Sequence, residues 1–470
     1  MSCLRALLTA GCLALVCPVT APAAAPAGQP AKAAAAKSHA ASHRPNVFLI
    51  VIDTLRADHL SAYGYGKKTS PHIDALAAQG TLYEEAISAA PWTLPSHASL
   101  FTGLYVRDHH TSCEHLNLAP SFDTLAERLA RAGYHTGGFS NNVWTNPDSG
   151  LEQGFQKFEE LWRLQKSRTE GISKDDPTTD MGAAKTDQDV LSWIDGLHDH
   201  KPFFVFINFF EPHLPYRPTK PFDTKFLPAG TPPSMVQRLR SFYTPREYGY
   251  DLKVPWMKVS PREIEVLRGL YDGEIAYVDS KIGELVDGLR SRGLAADTVL
   301  VITSDHGEHL GENHMIGHKL SVYEPLLHVP LVLWGPGRIP AGRRIAGQVQ
   351  SLDLFGTILD LAGVDRGKAP KLPLRTSKEG YTFSELAYPQ IFLDVIHQKI
   401  SGWNASHFAR ALTAVRGPRY KLIAGSDGSR ELYDLEADPH ETQDLASSRP
   451  EVLSKLQAVL EEFERGKRPR

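Results

Sequence analysis

Cysteine is scarce in this chain. Four occur in 470 residues, and Cys3, Cys12 and Cys17 all stand at the extreme N-terminus. Once that segment is removed, Cys113 remains alone, which excludes a disulfide-stapled fold and leaves a buried structural thiol as its expected state. Surplus charge of one sign is missing too: 51 Lys and Arg face 54 Asp and Glu, for a formal net charge of −3. A nucleic-acid binder carries a basic surplus, so that class is excluded. Long apolar runs are also lacking. Ala6–Val16 is too short to span a bilayer, no transmembrane segment follows it, and no internal repeat points to a solenoid.

Residues 1–28 instead read as an export signal, with Arg5 as the positive start, Ala6–Val16 as the apolar run and a small-residue region behind it. The expected location is secreted or periplasmic. A lipid anchor at Cys12 ranks second, because the leucine of Leu-Thr-Ala-Gly lies one position too far upstream. Residues 29–44, rich in Ala, Pro and Lys, are expected to be a disordered linker.

What the chain does have is histidine, 20 in all, several beside carboxylates at the ends of apolar runs. The first run, NVFLIVIDT (46–54), is rich in β-branched residues and unbroken by polar ones, the pattern of a strand buried on both faces of a parallel sheet. It ends in Asp53. TVLVITSDHGEHLGE (298–312) repeats the pattern and ends in Asp305 and His306. Open α/β sheets bind ligands at the carboxyl ends of their strands. An acid there is also an ordinary helix cap, but two such ends can meet around one ion, since carboxylates and a neutral imidazole suit a divalent cation. Between them lies PWTLPSHASLFTG (91–103). Its Thr93 is expected in the last extended residues before a helix N-terminus, where free N–H groups and the helix dipole welcome an anion. Thr93 is therefore either a helix cap or a hydroxyl poised over a bound anion and the ion held by Asp53, Asp305 and His306.

Amphipathic helices over 123–134, Asp187–His198 and Leu267–Arg292 alternate with strands over 135–142 and 202–210, which predicts a sheet covered on both faces. The strand 202–210 leads into Glu-Pro-His-Leu-Pro-Tyr (211–216), placing His213 at a third strand end. Residues 217–261 read as a long surface excursion. Beyond residue 363 the pattern changes: 364–390 looks irregular, 411–439 reads as short antiparallel strands, and Glu451–Glu464 as a closing helix. The expected fold is thus α/β, with a large mixed, mostly parallel sheet in residues 45–363 and a small C-terminal antiparallel α+β subdomain in 364–470.

Taken in order, Asp-Thr-Leu-Arg-Ala-Asp-His-Leu (53–60), Leu-Pro-Ser-His-Ala-Ser-Leu-Phe-Thr-Gly (94–103), Glu-Pro-His-Leu-Pro-Tyr (211–216), Ser-Asp-His-Gly-Glu (304–308), Gly-His-Lys (317–319) with Tyr323-Glu324, and Tyr420-Lys421-Leu422 with Leu432-Tyr433-Asp434 resemble the sulfatase family of the alkaline-phosphatase superfamily. The resemblance implies a mixed sheet of ten or so strands and a metal-assisted hydrolase of sulfate or phosphate esters. It departs from the family at the nucleophile. Family sulfatases carry Cys or Ser in Cys/Ser-x-Pro-x-Arg, which is converted to formylglycine. Here Thr93-Leu94-Pro95-Ser96-His97 has neither, and a secondary alcohol cannot be oxidised to an aldehyde. No formylglycine is expected. A threonine lacks the second hydroxyl that expels sulfate, but it can form a phosphothreonine that water cleaves, so phosphate mono- or diesters are favoured.

The metal positions depart as well, since His306 stands where many sulfatases have Asn. One divalent ion is expected on Asp53, Thr93, Asp305 and His306, with Mn²⁺ or Zn²⁺ favoured over Ca²⁺; His213, His314 and His318 could serve a second. The matching family positions imply that His97 positions or activates Thr93. Lys319 and His213 would neutralise the transferring group, and His318 would protonate the leaving alcohol. Arg56 and Asp58 are expected to brace the first loop, and His109 and His110 to lie on the surface. Rival readings are an arylsulfatase-like hydrolase without formylglycine, a phospho-group transferase, and a degenerate protein that binds anionic glycans. The substrate is expected to be a small-molecule, glycan or lipid ester.

Overall fold

The computed structural model describes residues 43–163, 180–241, 250–251, 259–373, 380–399 and 404–467. The expected export signal, Cys12 and the linker up to Ser42 lie outside the described residues, as do parts of the 217–261 excursion. The strands are β1 Asn46–Ile52, β2 Thr81–Ile87, β3 His135–Ser140, β4 Lys157–Glu160, β5 Phe203–Phe209, β6 Tyr250–Asp251, β7 Thr298–Thr303, β8 His309–Leu310, β9 Met315–Gly317, β10 His328–Trp334, β11 Arg343–Gln350, β12 Thr382–Leu386, β13 Leu412–Arg416, β14 Tyr420–Gly425 and β15 Arg430–Asp434.

The unbroken apolar runs do form the sheet centre. Every residue of β1, β5 and β7 is buried, as the absence of polar alternation requires. Among the described residues the main sheet has eight strands in the order β11-β2-β10-β7-β1-β5-β3-β4, fewer than the ten or so implied. Only β10 runs against its neighbours; the pairs β1–β5, β1–β7, β3–β5, β3–β4 and β2–β11 are parallel. Val51 pairs with both Asn208 and Thr303, so β1, β5 and β7 end level with one another at one carboxyl edge.

Alternate side chains on β1 feed two cores. Val47, Leu49 and Val51 join Leu94, Leu100, Phe101 and Leu125 on one face, whereas Phe48, Ile50 and Ile52 join Ile73, Val190, Leu270 and Ile282 on the other. Each fully buried side chain of this size contributes about 1.5–3 kcal/mol relative to exposure. The Pro261–Ser291 helix begins six residues earlier than its apolar pattern suggested, because Ser260 and Glu263 form a reciprocal capping box ahead of Pro261. Its Gly269 and Gly273 let the 217–261 segment lie close, since a Cβ would meet the Phe226 and Phe222 carbonyls at 2.8 and 2.7 Å.

A second sheet, β12-β13-β14-β15, is antiparallel throughout, and the Pro450–Glu464 helix covers it through Leu456, Leu460 and Phe463. The supposedly irregular 364–390 stretch therefore contains β12. That strand bonds back to the main body: Glu385 N donates to Ala89 O at 2.9 Å and Ser384 Oγ to Ser88 O at 2.6 Å. β6, β9 and β8 make a third, small sheet.

Candidate active site

The parallel order of the sheet decides where the chemistry-bearing side chains emerge. Asp53 follows β1, Asp305 and His306 follow β7, Asn142 follows β3, and His213 follows β5. Residues 88–92 after β2 lead to Thr93, which is the first residue of the Thr93–Thr102 helix rather than an extended residue before it. Trp92 takes the extended cap position, and no side chain caps this helix. Thr93 is therefore not a helix cap. Its Oγ1 lies 3.4 Å from His306 Nε2 and accepts from Asn142 Nδ2 at 3.4 Å.

Asp53, Asp305 and His306 offer ligand atoms within 4.8 Å of one another, all fully buried. The His306 tautomer is set by its neighbour: Nδ1 donates to the Gly307 carbonyl at 2.9 Å, so Nε2 keeps its lone pair. That atom stands 3.5 Å from Asp305 Oδ2 and 3.9 Å from Asp53 Oδ1. Those same two oxygens are buried without a hydrogen-bond partner. Burial and then the Asp305 charge push Asp53 up to about 8, burial pushes Asp305 up to about 7, and burial holds His306 down at about 4. Two buried acids with orphaned oxygens and a histidine lone pair aimed at both fit a divalent cation, which supplies the missing positive charge.

The surroundings hold this group rigidly. Asp305 Oδ1 accepts from His306 N at 2.9 Å and Thr54 N at 3.3 Å. Thr54 reaches it only by adopting φ 54°, a left-handed conformation that is strained for a β-branched residue; Tyr271 fixes it by donating to the Thr54 carbonyl at 2.7 Å. The Asp305 carbonyl accepts from both Ser88 and Ser96. Arg56 binds Asp58, Glu312 and the Glu308 carbonyl, so it ties the β1 loop to the β7 loop.

His97 is buried on the same helix as Thr93. Its Nδ1 donates to the Thr93 carbonyl at 2.8 Å and lies 3.6 Å from Asp305 Oδ2, while its ring meets Phe101 and Phe206 edge-on. It touches the Thr93 backbone, not the hydroxyl. His318 Nδ1 contacts Glu308 Oε1 at 2.8 Å, and its ring sits 4.5 Å from that of His306 and 5.0 Å from that of His213. His213 donates through Nδ1 to the Leu214 carbonyl at 2.6 Å and stacks on Phe210. Burial, then the nearby Lys319, lowers His213 to about 3 and takes His318 well below the ordinary histidine value. Lys319 is 5% exposed and its Nζ lies 5.3 Å from the Phe392 ring centre.

The chain thus brings together Asp53, Thr93, His97, His213, Asp305, His306, His318 and Lys319. His314 is exposed and away from this group, at φ 59°. His109 corrects its expected place: it is 2% exposed, contacts Ser99 Oγ at 3.0 Å and accepts from Thr111 N, so it is a core histidine; His110 is exposed. Asn142, whose Nδ2 donates to both Asp53 and Thr93, was missed by sequence reasoning. The signal was present, because it ends a predicted strand at the same sheet edge. Glu308 was missed as well, since its partner His318 is ten positions away.

Comparison with known proteins bears on the family and the fold. A family model described as Sulfatase matches residues 45–364, and one described as N-sulphoglucosamine sulphohydrolase, C-terminal, matches residues 311–466. Arylsulfatase K of Bos taurus is 27% identical over 463 residues, covering 88% of this chain and 81% of its own length. The multifunctional alkaline phosphatase superfamily protein of Trinickia caryophylli is 25% identical, covering 86% and 91%. Among solved structures, the phosphonate monoester hydrolase of Agrobacterium radiobacter superposes with a TM-score of 0.70 at 23% identity, covering 90% of this chain and 96% of that one; that likeness is one of fold.

Proposed function

The chain belongs to the sulfatase family of ester hydrolases, and from that premise we propose that it cleaves phosphoesters in preference to sulfate esters, with unmodified Thr93 as nucleophile. The observation that carries this reading is the Thr93 hydroxyl itself, bound by no helix cap and directed at His306 Nε2 and Asn142 Nδ2.

Asp53, Asp305 and His306 would hold a divalent cation, whose chemistry when bound is Lewis-acid polarisation of an ester oxygen. Asn142 orients the Thr93 oxygen through its Nδ2 donor. Thr93, its hydroxyl proton passing to a solvent base as the positive charge of a cation held beside it would favour, attacks in line, forming the phosphothreonine bond as the bond to the leaving alcohol breaks. Lys319 offsets charge on the transferring group. His318 is neutral, and burial keeps the Glu308 carboxyl protonated up to about 8, so Glu308 donates to His318 Nδ1 and the imidazole proton sits on Nε2, from which it passes to the departing alkoxide, with His213 alongside. His97 holds the first turn of the helix by its bond to the Thr93 carbonyl, a positioning role. Water cleaves the phosphothreonine and restores the hydroxyl, an exit that a sulfate on threonine lacks. The Arg5 start and the Ala6–Val16 run further support export of the protein.

Turnover of p-nitrophenyl phosphate esters and p-nitrophenyl sulfate, with and without added Mn²⁺ or Zn²⁺, tests this reading. Faster, metal-dependent phosphoester cleavage is expected. A wide margin for sulfate would favour the reading that the arylsulfatase relatives suggest.

A further inference from the structure

Aromatic side chains cluster next to the contact between Asn142 and Thr93. Asn142, which bonds Asp53 and Thr93 through Nδ2, also accepts from Trp144 N at 2.8 Å through Oδ1. That bond anchors the Trp144 main chain close to the catalytic hydroxyl. The Trp144 ring is half-buried and meets Trp92, the residue before Thr93, edge-on at 5.5 Å. Trp92 in turn meets Phe392 at 5.2 Å, and Lys319 Nζ lies over that phenylalanine. Three rings and one cation therefore form a continuous wall beside Thr93, in which Trp92 and Phe392 are buried and Trp144 carries the partly exposed face.

Among the described residues, the large hydrophobic side chains that stand exposed are Val143 at 48% and Leu116 at 43%. Val143 lies between Asn142 and Trp144. Leu116 is on the loop that carries Cys113, which lies within electrostatic reach of Lys319; that loop is tied to the one after Trp144 by the bond from Leu118 N to Ser149 O at 2.8 Å. Exposed apolar side chains scattered singly need no explanation, but Val143 stands between Asn142 and the half-buried Trp144, and the Leu118–Ser149 bond ties the Leu116 loop to the segment that follows them.

We infer that the organic group of the substrate ester is aromatic or otherwise apolar, and that Trp144, with Val143 and Leu116 at its rim, is what selects it. The inference rests on the proposed phosphoesterase reading for the identity of the site and deepens it by naming the substrate class. A sulfated or phosphorylated saccharide presents several charges at once and is matched by several lysines or arginines. Among the described residues this wall offers one cation, Lys319, enough for the ester group, and then aromatic surface. An apolar group seated against such surface gains roughly tenfold or more in discrimination over a small one.

The test uses two diesters with the same leaving group, phenyl p-nitrophenyl phosphate and methyl p-nitrophenyl phosphate. After correction for their uncatalysed rates, the native protein should prefer the phenyl ester about tenfold or more in kcat/KM. Trp144→Ala should bring that ratio toward one, and Trp144→Phe should restore most of it; the main-chain bond to Asn142 survives either change. Equilibrium binding to Thr93→Ala protein, read by tryptophan fluorescence, should show the same preference without turnover. A ratio near one in the native protein, a ratio unmoved by Trp144→Ala, or tighter binding of a sulfated oligosaccharide than of the phenyl ester would overturn the inference. Residual turnover by Thr93→Ala would instead count against the nucleophile and leave the binding preference standing.

Discussion

The hydroxyl of Thr93 lies 3.4 Å from Nε2 of His306, although 213 positions separate the two residues. The sheet order creates this contact, because β2 and β7 flank β10 and both release their loops at the same edge. Thr93 is 1% exposed and caps nothing, so removing its hydroxyl should leave the fold intact while removing the proposed nucleophile. Thr93→Ala is expected to lower phosphoester turnover by about three to six orders of magnitude, with unchanged metal content and melting behaviour. A near-native rate would show that another group attacks the ester.

Asp305 accepts from the backbone of Thr54 and His306 through Oδ1 and leaves Oδ2 free of hydrogen bonds for the proposed ion. Asp305→Asn keeps the shape but loses the charge, so metal content and activity should fall together. Elemental analysis of the native protein should find Mn²⁺ or Zn²⁺, because His306 offers a nitrogen whose tautomer is already fixed. Stoichiometric calcium without a transition metal would mean that His306 is not a ligand.

The raised carboxyls give the metal-free protein an unusual pH response. Asp53 and Asp305 start from 3.8 and rise to about 8 and about 7, so above about pH 4 the folded state holds protons that the unfolded chain has released. Stability of metal-free protein is therefore fully present below that point and declines as pH rises through 7 to 8, then levels off. Metal uptake expels those protons. Calorimetric titration with Zn²⁺ in two buffers of different ionisation enthalpy should report proton release at about pH 6 that disappears by about pH 9. Equal enthalpies in both buffers at about pH 6 would contradict the shifts.

Much of this was legible in the chain. The continuous apolar runs at 46–52 and 298–303 admit only a doubly buried strand, and an acid at the end of each had one edge to emerge from. Thr93, His97 and Lys319 stood in ordered motifs. Less legible was anything that depended on side-chain partners distant in sequence. Asn142 reads as a strand-end amide until β3 is placed two strands from β1. Glu308 reads as one acid among several until His318 folds back on it. β12 escaped because Thr382–Leu386 is short, and its edge bonds go to Gln350, Ser88 and Ala89 rather than to a hairpin partner with a turn signal. His109 was taken for surface because one-sequence periodicity cannot reveal its contact with Ser99.

The second sheet also braces the segment that follows Lys319. Lys421, fully buried, binds Glu324 at 3.0 Å and Glu441 at 2.8 Å, and Tyr323 donates to Glu431 at 2.7 Å; both contacts hold the chain just after Lys319. Lys421→Met should cost about 3–5 kcal/mol in denaturant unfolding, because two buried acids lose their cation, and should lower kcat at temperatures where the variant is fully folded. A loss under about 1 kcal/mol would mean that Arg416, 3.2 Å from Glu324, compensates alone.

The central claim is covalent chemistry at Thr93, and peptide mass spectrometry of residues 91–103 tests it most directly. Protein isolated without substrate should show an unoxidised threonine side chain. Protein quenched in acid during turnover of a slow phosphodiester should show a phosphoryl or alkyl-phosphoryl group on Thr93, and this group should be absent when Asp305→Asn is treated in the same way. An oxidised side chain at position 93, or quenched protein that turns over the ester with no adduct on this peptide at any time point, would contradict the account.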